Sequence, residues 1–327
     1  NYFYCSQASD LAEKLCTLTG LSKVCFGNSG AEANECAIKI ARKYSFDKYG
    51  EGRNEIVTLN NSFHGRTVTT LAATGQDVFH NYFFPFTEGF KYADADDMDA
   101  LKAVVSDKTC AVMLELIQGE GGVNILDPEY VKELVKYCND NDILVIVDEV
   151  QTGVGRTGKL FAHQNYGILP GLGGGLPIGV CMCGEKLKDV MSPSTHGTTF
   201  GANPVVCAGA NYVLDTVAND EFLAEVEKKG QYFEDKLTKI DGVKSVRRMG
   251  LMIGIELEKG DAHDIAIKCV ENGLLIITAK DLLRMLPPLV IDYNEIDEAI
   301  NILEKTIKEK NYKRLTHQKP RTQPQRK

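Results

Sequence analysis

The segment Ile143–Asp148 is a run of apolar residues that ends in a carboxylate, and Gln151 follows three positions later. Its β-branched, nearly continuous apolar character predicts a buried strand. Burying an unpaired carboxylate is costly, so Asp148 needs a partner, and a protonated ring nitrogen is a suitable one. The pattern therefore indicates a strand that presents an acid to a cationic ring, although a helix cap or a metal ligand would also explain Asp148.

The turn Asn28-Ser29-Gly30-Ala31 leads into a helix predicted to run from Ala31 to Tyr44. Free backbone N–H groups and the positive end of the helix dipole at such a turn suit a phosphate group. An ordinary N-cap, in which Ser29 satisfies the first turn of the helix, explains the same residues.

Two further residues that could bind a ligand follow the predicted strand Glu55–Leu59. Phe63 lies beyond the carboxyl end of that strand, where α/β sheets bind ligands, and its ring could lie on a planar ligand. Arg66 offers a planar fork of donors that suits a carboxylate. Packing in the core and solvation at the surface are the ordinary alternatives for these two residues.

Three more charged residues stand near apolar segments. Glu115 lies near the end of the predicted strand Ala111–Ile117, where it could also be a carboxylate facing water, and Glu120 follows that strand. Arg284 is flanked by apolar residues, which favours pairing with an acidic group over a solvated position.

The longer segments around these residues resemble the pyridoxal-phosphate aminotransferases of fold type I, in class III, the class that includes acetylornithine aminotransferase. The resemblance runs from Asn1 to about Asn311, with its motifs in the family's order. The most specific motifs are Gly27-Asn28-Ser29-Gly30-Ala31-Glu32-Ala33-Asn34-Glu35, Asp148-Glu149-Val150-Gln151 and His196-Gly197-Thr198-Thr199-Phe200-Gly201-Ala202-Asn203-Pro204.

The resemblance implies that pyridoxal 5′-phosphate is the cofactor. It implies that Asp148 pairs with the ring nitrogen and Gln151 with the phenolic oxygen of the ring. It also implies that Thr199 reaches the phosphate of a neighbouring subunit, so that the protein is a homodimer with shared active sites. The other residues implied to bind the cofactor are Ser29, Gly30 and Ala31 at the phosphate, and Phe63, His64 and Glu115.

The resemblance also implies that Arg66 and Arg284 bind substrate carboxylates. Glu120 is expected to pair with Arg284 and to release it when a substrate carboxylate arrives, so that one pocket accepts both an ω-amine and glutamate. The implied reaction transfers the δ-amino group of N2-acetylornithine to 2-oxoglutarate, giving N-acetylglutamate 5-semialdehyde and glutamate in arginine biosynthesis. Ornithine, succinylornithine or 4-aminobutyrate as the substrate, and a catalytically inactive homologue that binds the cofactor or a partner chain, are the alternatives.

Several features depart from the family pattern, among them Leu116, which stands where proline is usual. Members of the class carry Ala-Lys directly before Gly-Leu-Gly-Gly-Gly, and that lysine holds the cofactor as a Schiff base. Here Pro170 directly precedes Gly171, so no catalytic residue is identifiable. The chain begins at Asn1 without a methionine, which predicts that it starts inside a longer protein. Ala202 stands where glycine is usual, which restricts the turn if a positive φ is needed there.

The composition excludes several functional classes. The chain has 37 Lys and Arg against 45 Asp and Glu, and because six of the basic residues lie in 312–327, the remainder holds 31 against 45, a net charge of −14. Such a surface repels nucleic acids and acidic membranes, and no segment is long and apolar enough to span a bilayer. The ten cysteines show no Cys-x-x-Cys and no metal-ligand spacing, which favours reduced core thiols in a cytoplasmic protein over disulfides or a metal site.

The order of the predicted elements indicates an α/β fold. Apolar strands alternate with helices along most of the chain, which favours a mostly parallel sheet flanked by helices. After about Asp220, a long charged helix and short strands predict a smaller C-terminal α+β domain. We therefore expect a large cofactor-binding domain over 1–219, a small domain over 220–311 and a basic, disordered tail over 312–327.

Overall fold

The structure of this chain, a computed structural model, describes the backbone of residues 3–168, 172–174 and 178–317 and the side chains within 3–168 and 178–309. Pro170 and Gly171, where the family pattern is interrupted, lie outside the described residues, as does 318–327. The helices are α1 (Ser6–Thr19), α2 (Gly30–Tyr49), α3 (Val68–Ala73), α4 (Met98–Val104), α5 (Pro128–Asp140), α6 (His163–Tyr166), α7 (Pro204–Val217), α8 (Asp220–Leu237), α9 (Ala262–Glu271) and α10 (Tyr293–His317). The strands are β1 (Lys23–Phe26), β2 (Glu55–Leu59), β3 (Phe90–Ala93), β4 (Thr109–Leu114), β5 (Ile117–Gln118), β6 (Asn124–Ile125), β7 (Leu144–Asp148), β8 (Leu172–Gly174), β9 (Val180–Cys183), β10 (Val243–Met249), β11 (Met252–Leu257), β12 (Ile277–Ala279) and β13 (Leu282–Met285).

Among the described residues, seven strands form one sheet in the order β1-β9-β8-β7-β4-β2-β3. Strands β8, β7, β4, β2 and β3 are parallel, and β9 is antiparallel to both of its neighbours. Leu114 of β4 lies opposite Val147 of β7, and Met113 lies opposite Thr58 of β2. The carboxyl ends of β2, β4 and β7 therefore meet at one edge of the sheet, which brings together the residues that follow them.

Helices cover both faces of this sheet. On one face, Ala37 of α2 belongs to a buried cluster with Met113 and Ile146. On the other face, Leu134 of α5 clusters with Val145. All six residues of β4 are buried, as expected for a strand that is covered on both sides. The predicted α/β fold with a mostly parallel sheet and flanking helices is confirmed.

A second sheet is antiparallel, with the order β10-β11-β13-β12. Helices α8, α9 and α10 cover it, and its core is a separate buried cluster that includes Phe233, Ile253, Ile265, Leu283 and Leu303. Helix α8 begins at Asp220, although the domain boundary predicted there stays a prediction. Helix α10 continues to His317, so the first part of the segment predicted as a disordered tail is helical.

The cysteines are unpaired. All ten are free thiols, and seven of them are buried, in agreement with the prediction of reduced core cysteines. Within the part of the chain that the structure describes, no helix is long and apolar enough to cross a membrane.

Ala202 adopts the left-handed conformation that glycine prefers. Its φ is 60°, in the turn just before Asn203, which caps α7. A residue with a Cβ pays about 1 kcal/mol in this conformation because the Cβ approaches the following carbonyl oxygen. The restriction expected from the replacement of a usual glycine is therefore present in the structure.

Replacing Ala202 by glycine should raise the free energy of unfolding by about 1 kcal/mol, because glycine adopts a positive φ without steric cost. The same change at Ala208, an exposed position inside α7, should lower it by about 0.5–1 kcal/mol. Urea denaturation of both variants and the parent measures the two effects. A loss of stability in Ala202→Gly would show that the turn does not carry this strain.

Candidate active site

Asp148 is a buried carboxylate at the edge where β2, β4 and β7 end. It is 5% exposed. Its Oδ2 accepts a hydrogen bond from Nδ2 of Asn34 at 2.7 Å and lies 2.9 Å from Nδ1 of His64, while its Oδ1 accepts from the backbone N–H of Val150 at 3.0 Å. A carboxylate offers about four acceptor positions, so these contacts leave roughly one for a further donor.

Asn34 was missed by the sequence analysis. It lies in α2 between the small apolar residues that face the sheet, and it is 3% exposed. Its Nδ2 also donates to the backbone carbonyl of His64 at 2.8 Å, so one amide ties the helix to both residues. A lone polar residue on the apolar stripe of a helix is the signal that could have revealed it, because a buried amide must find partners.

His64 contacts the carboxylate of Asp148. It was predicted to bind the cofactor, and the structure places its Nδ1 against the Asp148 carboxylate with the side chain fully buried. Its backbone N–H donates to Oγ1 of Thr74 at 3.0 Å, which fixes the loop after β2. Its Nε2 is buried and has no hydrogen-bond partner among the described residues. His64 thus positions Asp148 and keeps one ring nitrogen available.

Glu115 connects the loops that follow β2 and β4. Its Oε2 accepts from the backbone N–H of Phe63 at 2.8 Å and its Oε1 accepts from that of Gly119 at 3.3 Å. Burial raises the pKa of Glu115 well above its ordinary value, and the nearby carboxylate of Asp148 adds to this rise. Glu115 therefore faces the protein and not water, and it sets the position of Phe63.

We expect stability to depend on pH through Glu115. The folded chain holds the proton of this carboxyl more tightly than the unfolded chain, so its contribution is greatest below the ordinary pKa of 4.5 and is lost as the pH rises towards the raised value. The free energy of unfolding of the parent minus that of Glu115→Gln should fall from about pH 5 to about pH 8, as measured by urea denaturation. The same difference for the exposed Glu129→Gln is the control. A difference that stays constant for Glu115→Gln would contradict the burial of an ionisable carboxyl.

The predicted phosphate turn lies at the start of α2. Oγ of Ser29 accepts from the backbone N–H of Glu32 at 3.2 Å, so the ordinary N-cap is present. The N–H groups of Gly30 and Ala31 precede the first intrahelical bond and are available to an anion. A Cβ at Gly30 would approach Cγ2 of Val150 to 2.6 Å, so the turn packs directly on the segment after Asp148.

Thr199 lies on the other side of this turn. It lines a cavity of about 360 Å³ together with Gly27 and Asn28. Its neighbour Thr198 accepts through Oγ1 from Nδ2 of Asn28 at 3.2 Å, which holds the segment in place. The contact of Thr199 with a neighbouring subunit stays a prediction.

Arg284, Glu120 and Gln151 form one connected group. Arg284 lies on β13 and is 5% exposed, and its Nη2 is 2.7 Å from Oε1 of Glu120. Its Nη1 donates to Oε1 of Gln151 at 3.2 Å, and its Nε is buried with no partner among the described residues. The expected pair of Glu120 with Arg284 is present in the structure. Gln151, which the resemblance directs to the cofactor ring, contacts Arg284 here.

Arg66 lies over aromatic rings. Its guanidinium carbon is 4.2 Å from the ring centre of Phe79 and 5.4 Å from that of Phe63, and the two rings meet edge to face at 5.7 Å. Arg66 itself is exposed. The stack holds the guanidinium beside Phe63 with its donors accessible, which is compatible with the predicted carboxylate contact.

Glu149, unlike Asp148, has a structural role away from the candidate site. Its oxygens accept from the backbone N–H groups of Ala162 at 2.6 Å and His163 at 2.9 Å, and Nδ1 of His163 lies 2.7 Å away. Neighbouring residues in sequence point to opposite sides of a strand, so Asp148 faces the site while Glu149 anchors the chain before α6.

Residues 1–307 match the family model of the class-III aminotransferases. The chain belongs to this family. The acetylornithine aminotransferase of Haemophilus ducreyi is 48% identical to this aminotransferase chain over 318 residues, which covers 94% of this chain and 81% of the relative. The succinylornithine transaminase of Photorhabdus laumondii is 42% identical over 312 residues, covering 91% of this chain and 78% of the relative.

The fold agrees with that of solved aminotransferases. The ornithine aminotransferase from Toxoplasma gondii ME49 superposes with a TM-score of 0.88 at 33% identity, which covers 95% of this chain and 78% of that one. The predicted fold type I of the pyridoxal-phosphate enzymes is confirmed for this class-III aminotransferase.

This aminotransferase chain has no lysine between Lys159 and Lys186. Lys159 lines a cavity of about 800 Å³ together with Leu18 and Glu227, and Nζ of Lys186 lies 2.5 Å from Oδ1 of Asp142. Neither lysine stands among the residues at the edge of the sheet. Neither of these two lysines is therefore a counterpart of the family's cofactor lysine.

The residues at the edge of the sheet, without a lysine before Gly171, still fit the ring and the phosphate of pyridoxal phosphate. Asp148 keeps roughly one acceptor position, which suits the N–H of a pyridinium ring. The unpartnered Nε2 of His64 and the open N–H groups of Gly30 and Ala31 are the kind of polar groups that a bound phosphorylated ring satisfies. The site can therefore hold this cofactor through noncovalent contacts.

Proposed function

We propose that this chain is an aminotransferase subunit that acts on N2-acetylornithine and 2-oxoglutarate and forms N-acetylglutamate 5-semialdehyde and glutamate. The observation that carries the proposal is the buried carboxylate of Asp148, held by Asn34 and His64 beside the first turn of α2. The name of a relative that is 48% identical supports the choice of an acetylated ornithine. Succinylornithine is the nearest variant of this substrate, since a relative with that name is 42% identical.

The chain's own residues bind and orient the cofactor in this proposal. Pyridoxal phosphate, when bound, supplies an electron sink for the negative charge that develops on the substrate carbon. Asp148 would keep the ring nitrogen protonated, because a buried carboxylate strongly favours a cationic partner. The first turn of α2 would bind the phosphate, and Phe63, positioned by Glu115, would lie against the ring.

The pair of Arg284 and Glu120 would distinguish the two substrates. With the pair closed, the guanidinium of Arg284 is already engaged by Glu120, which suits the ω-amine end of the first substrate. When 2-oxoglutarate or glutamate enters, its carboxylate replaces Glu120 on the fork of Arg284. Glu120 is the partner able to move, because its side chain is 32% exposed whereas that of Arg284 is 5% exposed.

Removing the competing carboxylate of Glu120 should therefore strengthen the binding of 2-oxoglutarate. We expect Glu120→Gln to bind 2-oxoglutarate roughly two- to fivefold more tightly, as befits a partly exposed ion pair, and Arg284→Gln to bind it at least about tenfold more weakly. Calorimetric titration of the protein loaded with pyridoxal phosphate measures both affinities. Glu129→Gln on the surface of α5 is the control and should leave the affinity unchanged. Weaker binding by Glu120→Gln would contradict the switch.

We also propose a homodimer that works in the cytoplasm in arginine biosynthesis. Support for a dimer comes from exposed apolar side chains on and near α7, namely Phe200, Val205 and Tyr212, close to the segment that carries Thr199. An apolar patch of this kind is typical of a protein interface. The mass of the protein in solution tests the dimer.

A cofactor-binding homologue without catalysis is the second candidate function. The observation that favours it is the direct junction of Pro170 and Gly171, which leaves no lysine where relatives attach the cofactor. Production of glutamate from N2-acetylornithine and 2-oxoglutarate by the purified chain decides between the two proposals. Binding of pyridoxal phosphate without any glutamate would favour the second.

The chain should hold pyridoxal phosphate reversibly. Because no lysine stands directly before Gly171, where relatives attach the cofactor, we expect dialysis to remove the cofactor and borohydride treatment to leave no stoichiometric phosphopyridoxyl group on any lysine. Mass spectrometry of the intact and the digested protein measures this. One such group per chain on a single lysine would contradict noncovalent binding.

A further inference from the structure

A second cluster of side chains with ligand-type atoms lies next to the phosphate turn. Cys25 in β1, Cys36 in α2 and His196 before α7 each place one such atom within 4.8 Å of the other two. All three line the cavity of about 360 Å³ that also contains Gly27 and Thr199. His196 is far from the two cysteines in sequence, so the spacing predicted no metal site, and the fold brings the three side chains together.

We propose that Cys25, Cys36 and His196 bind a thiophilic divalent cation, for which Zn²⁺ is the best match. Zinc takes thiolate sulfur and imidazole nitrogen in a tetrahedral arrangement, with bonds of about 2.0–2.3 Å. Ligand atoms that already lie within 4.8 Å of one another need only a small movement to reach such a geometry. The cavity leaves the fourth position open to water, as in zinc sites with three protein ligands.

The two thiols must lose their protons when a cation binds. A hydrogen bond with Cys36, followed by burial, raises the pKa of Cys25 above its ordinary value, and a hydrogen bond with Cys181 is the main cause of the same rise in Cys36. Both thiols are thus protonated when no metal is bound. Binding forms two sulfur–metal bonds and one nitrogen–metal bond and releases the two thiol protons to solvent.

His196 is available as a neutral ligand. Burial, followed by the charge of Lys39, lowers its pKa, so the ring keeps a lone pair near neutral pH. Nζ of Lys39 lies 3.0 Å from Nδ1 of His196, and its positive charge repels a cation at this site. Two carboxylates on the wall of the same cavity, Glu32 and Glu35, act in the opposite direction. Lys39 is exposed and can move away when the cation enters.

The position of the cluster gives a bound cation a structural consequence. Cys25 stands two residues before Gly27 and Asn28, where the phosphate turn begins, and His196 stands three residues before Thr199. A cation held by all three side chains would therefore join β1, α2 and the Thr199 segment. It would tie that segment to the phosphate turn more firmly than the hydrogen bond from Asn28 to Thr198 does.

Cobalt titration of the full chain, stripped of metal and kept reduced, tests the site. We expect one Co²⁺ per chain, with the near-ultraviolet band of thiolate bound to cobalt and the visible bands of a tetrahedral ion, and we expect Zn²⁺ to remove both. The absence of these bands from the parent protein would overturn the proposal.

Variants identify the ligands. Cys25→Ser and His196→Gln, at partly exposed positions, should each lower the affinity for Co²⁺ by more than about tenfold. Cys5→Ser, at a partly exposed thiol outside the cluster, is the matched control and should leave the affinity unchanged. Lys39→Gln should bind the ion more tightly, since it removes an opposing charge. Circular dichroism verifies that each variant is folded. Equal affinity in the parent, Cys25→Ser and His196→Gln would overturn the proposal.

Discussion

The burial of a carboxylate at the end of β7 is the constraint on which the site depends. A charge removed from water must be met by hydrogen bonds or by an opposite charge. Asp148 has hydrogen-bond contacts with Asn34, His64 and Val150. Asn34 belongs to α2, His64 to the loop after β2, and Val150 follows the end of β7. These three elements meet only because parallel strands end at one edge with α2 packed across them. The carboxylate and the architecture therefore require each other.

A second carboxyl close to Asp148 makes the edge of the sheet acidic. Glu115 is buried close to it. Burial, followed by the charge of Asp148, raises the pKa of Glu115, because ionising this second carboxyl away from water is unfavourable. A nearby cation would stabilise the ionised form of both carboxyl groups, and a protonated ring that enters the site supplies one. Arg284, a buried positive charge of this region, is already paired with Glu120 at 2.7 Å. The distribution of charge thus favours a cofactor with a basic ring and an anionic tail.

Much of this arrangement could be predicted from the sequence because it rests on local patterns. An apolar run that ends in Asp148 and a serine-glycine turn before a helix are both visible within a few residues. Asn34 was missed because its partner Asp148 is 114 positions away and nothing local requires the contact. The position of His64 could not be resolved for the same reason, since only the fold shows that its ring faces Asp148. Helix α7 was not predicted because exposed apolar residues, such as Val205 and Tyr212, obscure its amphipathic period.

The affinity for pyridoxal phosphate of the parent chain and of Asp148→Asn tests the central claim most directly. An absorbance titration measures it, with Asp140→Asn on the surface of α5 as the matched control and thermal unfolding as the check on the fold. If Asp148 pairs with the ring nitrogen, the variant should bind roughly ten- to a hundredfold more weakly, the value of a charged hydrogen bond, and Asp140→Asn should match the parent. Equal affinity in a folded Asp148→Asn protein would mean that Asp148 only supports the fold and that the cofactor, if it binds, is held elsewhere.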